Sequence, residues 1–264
     1  MKNVTSHPVH RYETGRLDLD AESLAVECLV HINVNEKHVT SLLASPRDLA
    51  DLARGHLRSE YGVHVSRDQF EVNVESTNDD YVIHVLGEEM VDLTSRSTIV
   101  TTSCGACEQD QLGALIDQIP SVSDTTTVYS IESLIRSLDD MRKHQPGFEK
   151  TGGMHAAGLF FGEPHDLLVR EDIGRHNAVD KVIGALLESN THPVPRALLL
   201  SGRCGWDIVS KAAKLDIPVI ASIGAASTLA VKTARASNMT LVSFVKTDRA
   251  VVIGPVEGRI KRNH

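Results

Sequence analysis

Two cysteines three positions apart, Cys104 and Cys107, are the side chains in this chain best suited to covalent chemistry. They stand in Thr101-Thr102-Ser103-Cys104-Gly105-Ala106-Cys107 and form its only closely spaced thiol pair. A thiolate is a nucleophile and a soft metal ligand. A CxxC pair therefore suits half of a zinc site, a dithiol redox centre or a sulfur relay, and it also arises by chance. The spacing alone does not choose among these.

The surrounding pattern says how such a pair would be held. The β-branched run Ile99-Val100-Thr101-Thr102 predicts a strand leading in. Leu112, Leu115, Ile116 and Ile119 recur at helical spacing and Pro120 closes the pattern, which predicts a helix leading out. Glu108 and Asp110 fall in the first turn of that helix. The pair then sits between a strand end and a helix start, where orphan amides and the positive dipole end favour a thiolate. Gly105 and Ala106 keep the loop small enough for a bulky partner to approach.

With 264 residues, 41% apolar and 23% charged, the chain has the balance of a soluble protein of one large or two modest domains. Its net charge of −8 argues against a broad nucleic-acid-binding surface. Four cysteines (Cys28, Cys104, Cys107 and Cys204) are too few for a disulfide framework at this length. No signal-peptide core follows Met1, and no apolar run reaches membrane-spanning length. A cytoplasmic protein with reduced thiols and no membrane contact is expected.

Residues 1–22 are polar and aperiodic and are expected as a flexible lead-in. Residues 23–145 are expected as an α+β part carrying the CxxC loop. In it Leu24–Val34, Val39–Leu43, Phe70–Val74 and Tyr81–Val85 read as strands. Ser45-Pro46-Arg47-Asp48 reads as a helix start: a cap, a first-turn proline and an acid. His84 is read as structural. The break Lys143-His144-Gln145-Pro146-Gly147 suggests a boundary, with an α/β ligand-binding part over 146–264. There, short aliphatic runs at 159–161, 167–169, 197–200, 218–223 and 241–245 alternate with helical patterns. This predicts a largely parallel sheet covered on both faces, with ligands beyond the strands' carboxyl ends.

That rule picks out four loops: Gly152–Gly158, Arg170–Asn177, Ser201–Trp206 and Lys246–Arg249. Three of them bring arginine, two of these with glycine, a composition that suits phosphate. None carries a Walker loop or a dinucleotide fingerprint.

Taken together, the stretches TTSCGAC, TGGMHAAGLF, REDIGRHNAVDKVIG, SGR, IVSKAAKLDIPVIASIGAASTLAV and TLVSFVKTDRAVVI resemble the FdhD family of formate dehydrogenase accessory sulfurtransferases. The segment LLASPRDLADLARGHLRSE is similar to that family's early helix, and the resemblance spans about residues 25–253. It implies a cytidine deaminase-like three-layer α/β fold with a mixed, partly parallel sheet. It also implies a sulfur carrier that takes persulfide sulfur from a cysteine desulfurase. The recipient would be the molybdenum cofactor in its bis(molybdopterin guanine dinucleotide) form, on its way to formate dehydrogenase.

By resemblance, Cys104 is the persulfide-forming residue and Cys107 its companion. Phe244, Val245, Lys246, Thr247, Asp248 and Arg249 fall on the segment assigned to cofactor binding. Arg175, Arg203, Lys246 and Arg249 would clamp pyrophosphate, and His176 and Asn177 would read guanine or ribose edges. No structural metal is implied; a homodimer is a further possibility. Two positions depart from the family pattern: Cys204 after SGR, and Thr247-Asp248, where an acid near phosphates is unhelpful.

Two rival functions remain. A zinc deaminase needs H-x-E or C-x-E upstream and proline before the CxxC. No histidine here, nor Cys28, has glutamate two residues on, and Ser103 precedes Cys104. A non-catalytic cofactor-binding chaperone of formate dehydrogenase would show the same loops. A thioredoxin-like reductase fits less well, because the pair lies outside a thioredoxin-like βαβ unit.

Overall fold

The structure, a computed structural model, describes residues 3–65, 69–77, 80–87, 109–125, 127–162, 166–189 and 193–261. Residues 4–25 are not a lead-in. They form a hairpin of β1 (Val4–Glu13) and β2 (Arg16–Ala25), paired antiparallel from Val4 opposite Ala25 to Glu13 opposite Arg16. Thr14 and Gly15 turn the chain at positive φ (47° and 88°), the geometry that matches strand twist. One face carries Pro8, His10, Tyr12, Leu17 and Leu19; the other carries Arg11, which bridges Asp20 at 2.5 Å and Glu22 at 2.7 Å.

The expected strand Leu24–Val34 is two strands, β2 and β3 (Cys28–Val34), in different sheets. β3 alternates buried and half-buried residues along its whole length. It pairs antiparallel with β4 (Lys37–Ala44) across an Asn35-Glu36 turn at positive φ. After α1 (Leu49–Tyr61) come β5 (Phe70–Thr77) and β6 (Asp80–Gly87), completing a sheet of order β4-β3-β6-β5. Leu52 and Leu57 of α1 pack with Val30, Ile32, Ile83 and Val85 of that sheet. The helix begins later than its sequence suggested. Asp48 precedes it at φ 53° with no side-chain cap, and Ser45 and Pro46 are buried outside it.

α2 (Gln109–Asp117) stops before Pro120 as the periodicity predicts. α3 (Ile131–Lys143) starts from Ser130, whose hydroxyl accepts the Ser133 N–H at 3.3 Å. The short α4 (Pro146–Thr151) follows. Then come β7 (His155–Phe160), β8 (Leu167–Asp172), α5 (Arg175–Glu188), β9 (Ala197–Leu200), α6 (Trp206–Ala213), β10 (Val219–Ser222), α7 (Thr228–Ala236), β11 (Thr240–Lys246) and β12 (Arg249–Ile253).

Their sheet runs β12-β11-β10-β9-β7-β8. Among its neighbouring strands β9, β10 and β11 pair in parallel, whereas β7, β8 and β12 each pair antiparallel. The sheet is therefore mixed rather than largely parallel. The antiparallel strands are joined by hairpins too short for a crossover helix. Strand alternation gives it two buried faces. Leu198, Leu200, Ile220 and Leu241 pack under α5, α6 and α7, while Ala197, Leu199, Val219 and Val242 pack against Leu134, Leu138 and Met141 of α3. This is a three-layer α/β sandwich. It also moves the expected boundary at 145/146, because α3 belongs to the second sheet's core.

Candidate functional site

Because β7 runs against both β8 and β9, the start of β7, the end of β8 and the ends of β9 and β10 meet on one edge. His155 opens β7 opposite Asp172, which ends β8. Ser201, just past β9, is tied to β7 twice: its hydroxyl accepts the Ala156 N–H at 2.8 Å and its own N–H reaches the Ala156 carbonyl at 3.1 Å. The next loops interlock. The Ser222 hydroxyl donates to the Gly202 carbonyl at 2.6 Å, and Gly224 lies so close to Gly202 that a Cβ there would stand 2.8 Å from its backbone. The Phe244 N–H donates to the Gly224 carbonyl at 3.0 Å.

A cavity of about 260 Å³ opens on this edge between α3, α4 and the strand ends, lined in part by Arg142, Phe148, Met154, His155, Ser201 and Ile223. The Arg142 guanidinium lies over the Phe148 ring, 5.1 Å from its centre. Beside the cavity, a cluster of cationic groups forms around His155. Burial depresses its pKa, and the charges of Arg175, Arg203 and His176 depress it further. The His155 ring also stands about 3 Å from where a Gly202 Cβ would be, so a larger residue there would press on the ring. The arrangement suits an anion laid across the strand ends, held by Arg175 at the start of α5 and by the exposed Arg203.

The neutral imidazole makes a testable pH signature. Folding lowers the pKa of His155 below the ordinary 6.5, so acidification protonates the unfolded chain first and stability falls as pH drops through that value. The thermal midpoint should therefore fall less steeply below pH 6.5 in a His155→Asn variant. Parallel curves for the two proteins would refute this.

His176 pairs through Nε2 with Asp207 in the first turn of α6. Burial alone would raise the Asp207 carboxyl, but His176 and Arg175 outweigh it and hold the pKa below the usual range. The Trp206 indole N–H is buried without a hydrogen-bond partner among the described residues, a spare donor next to this pair.

The structure separates the residues predicted from sequence into three groups. Arg175, His176 and Arg203 cluster near the cavity. Phe244, Lys246, Thr247, Asp248 and Arg249 are exposed; Phe244 sits at φ 53° on a bulge and the rest form the tip of the β11–β12 hairpin. Asn177 and Val245 are corrections. Asn177 is 8% exposed and its amide donates to the Leu43 carbonyl at 2.7 Å and to Asp172 at 3.1 Å, so it serves packing rather than a ligand. Val245 points into the core below the sheet, as strand alternation with the exposed Phe244 requires. Cys104 and Cys107 lie outside the described residues. Cys204 is sealed at 1% exposure, and burial pushes its thiol up to about 12, so it is a packing residue and not a second nucleophile. Sequence reasoning passed over His155 and Asp207. The only signal was a histidine and an acid beside glycine-rich strand ends.

A model of the FdhD/NarQ family matches residues 25–260. The chain belongs to the FdhD/NarQ family. Among curated relatives named sulfur carrier protein FdhD, that of Streptomyces avermitilis is 36% identical over 252 residues, covering 90% of this chain and 89% of its own. That of Mycobacterium tuberculosis is 38% identical over 245 residues, covering 86% and 88%. A solved Desulfotalea psychrophila protein described as a formate dehydrogenase accessory protein superposes with a TM-score of 0.73 over 98% of this chain and all of that one. At 22% identity that likeness speaks for the FdhD fold alone. Among the described residues no helix is long and apolar enough to cross a membrane.

Proposed function

We propose that this protein is a sulfur carrier serving formate dehydrogenase, and that Cys104 carries the sulfur as a persulfide. The observation that carries the reading is the Cys104–Cys107 pair in a chain of the FdhD/NarQ family whose relatives are named sulfur carriers. In the first step the Cys104 thiolate attacks the outer sulfur of a persulfide on a cysteine desulfurase. The donor's S–S bond breaks, a new one forms on Cys104, and the donor cysteine leaves as thiolate. No external oxidant is needed. In the second step the Cys107 thiolate attacks Cys104, closing a disulfide and releasing the sulfur as hydrosulfide toward the substrate.

That substrate is the molybdenum cofactor in its bis(molybdopterin guanine dinucleotide) form, taken as cargo. Its pyrophosphates match Arg175 and Arg203, with Lys246 and Arg249 at the neighbouring hairpin. The spare Trp206 donor and the cavity beside His155 support a ligand richer than phosphate alone. Asp248 stays a misfit for an anion. The protein would act in the cytoplasm, where its thiols stay reduced, and as a homodimer.

Native mass spectrometry after incubation with desulfurase and free cysteine tests the reading. The expected result is a dimer whose subunits each gain one sulfur on Cys104, a gain abolished in Cys104→Ala. An unmodified protein that still binds the cofactor would leave only a chaperone role, and a Cys104→Ala protein that restores formate dehydrogenase would end the sulfur assignment.

A further inference from the structure

Among the described residues no hydrogen bond reaches either ring nitrogen of His155, and no ion pair holds Arg175 or Arg203. Their charged neighbours are committed. His176 is paired with Asp207, and the Asp172 carboxylate, opposite His155 in the sheet, meets the buried Lys181 at 2.6 Å. Arg142, across the cavity of about 260 Å³, lies over the Phe148 ring. A half-buried imidazole without a partner and two guanidiniums without a carboxylate therefore meet at one place, in a chain whose net charge is −8. Buried polar groups left open in this way call for a partner from outside the chain.

The ring is held where it can meet one. Its Nδ1 stands 3.0 Å from where a Gly202 Cβ would be, beside the turn that carries Arg203, and the ring also lines the cavity. The charges that act on it come from three elements: Arg175 and His176 from α5, Arg203 from the loop after β9, and Asp172 from the end of β8. Burial first, and then the three cationic groups, favour the neutral imidazole, while Asp172 pulls the other way. A proton on His155 is thus opposed by like charge as long as no anion is present. An anion seated between the two guanidiniums reverses that local field, and an imidazolium becomes a third charged donor to it.

We propose that His155 takes up a proton when an anion binds at this edge and then serves as its third cationic ligand, beside Arg175 and Arg203. The proton comes from solvent, joins a ring nitrogen and leaves again with the anion. The proposal rests on the anion-binding reading of this edge, and nothing in it depends on Cys104. Linkage makes the coupling reciprocal: an anion that favours the protonated ring must bind the protonated protein more tightly by the same factor. The site therefore captures its anion more firmly as pH falls and releases it more readily as pH rises.

The test uses the full chain and inorganic sulfate, which keeps its double charge around neutral pH and so leaves any pH dependence to the protein. With the histidines isotope-labelled, NMR follows the His155 ring, identified by the signal missing in His155→Asn. Saturating sulfate should raise the pKa of His155 by about one unit, and sulfate should bind about tenfold more tightly below the pKa of the free ring than at about pH 8, since one unit and tenfold are the same free energy. His155→Asn should still bind sulfate, with that pH dependence gone; if this variant does not fold, the wild-type titration decides alone. A His155 pKa unmoved by saturating sulfate, with binding that Arg175→Gln weakens, would overturn the proposal and leave the anion edge standing. Full pH dependence in His155→Asn would hand the proton to another group and overturn it as well. Sulfate binding that never saturates would overturn the proposal and the anion edge together.

Discussion

An Asp172→Ala protein is expected to lose about 3–5 kcal/mol of stability, the usual cost of leaving half of a buried ion pair behind. Asp172 and Lys181 are both fully buried and meet at 2.6 Å. The Asp172 carboxylate also accepts the Ser45 N–H at 3.0 Å, the Gly174 N–H at 2.7 Å and the Asn177 amide at 3.1 Å. Lys181 also donates to the Ser45 carbonyl at 2.9 Å. Removing the carboxylate strands an ammonium group in the interior and orphans three donors at once. Since a domain is stable by only about 5–15 kcal/mol, this is a large fraction. The effect should reach the site, because the same network fixes Gly174 and the start of α5, where Arg175 stands. Urea denaturation of the wild type, Asp172→Ala, Lys181→Met and the double variant checks it. A double variant more stable than either single one is expected. Strictly additive losses would show that the pair is not coupled.

The second large effect concerns two glycines. α1 and α5 cross at Gly55 and Gly184, where a Cβ on the first would overlap the Asp180 carbonyl and one on the second the Asp51 carbonyl. In a free helix, glycine to alanine is stabilising by up to about 1 kcal/mol. Here overpacking should win and cost about 1–3 kcal/mol or more, since backbone cannot yield as a side chain can. The helices would also part around Asp180, which grips the buried Lys211 at 2.7 Å and the Ser59 hydroxyl at 2.7 Å. Burial pushes the Asp180 carboxyl up, yet Lys211 and His56 overcome it and hold the pKa far below the usual range. Gly113→Ala in α2, where nothing among the described residues lies within 4 Å of the new methyl, is the control and should stabilise. Denaturation midpoints that move the same way for Gly55→Ala and Gly113→Ala would refute the packing argument.

These two networks also explain the REDIGRHNAVDKVIG stretch, which carries much of the family resemblance. Asp172, Asn177, Asp180, Lys181 and Gly184 are occupied in joining α5 to α1 and to the loop after β4. Arg175 and His176 of that stretch lie beside His155 at the site edge. A motif read by composition mixes binding residues with residues that merely hold two layers together, because both need polar groups at fixed spacing.

Local periodicity was enough for much of the rest. The helical spacing of Val179, Val182, Ile183 and Leu186 gave α5, and the aliphatic runs gave β7 to β11. The thiol pair, its companions by type and the family to which the chain belongs were also legible in the residues alone. What the order of residues left open was long-range pairing. The 4–25 segment reads as polar because one face of an exposed ribbon is charged and the other only sparsely apolar, so its two strands become visible only when set against each other. Ser45 reads as a helix cap by its neighbours, and tertiary structure gave its backbone to Asp172 and Lys181 instead. Which strands run parallel, that α3 covers the second sheet, and that Asn177 and Val245 face inward while His155 and Asp207 join the site were decided by packing. Propensity acts over one helical turn or strand pair, whereas burial of charge and apolar surface is settled between segments more than a hundred residues apart.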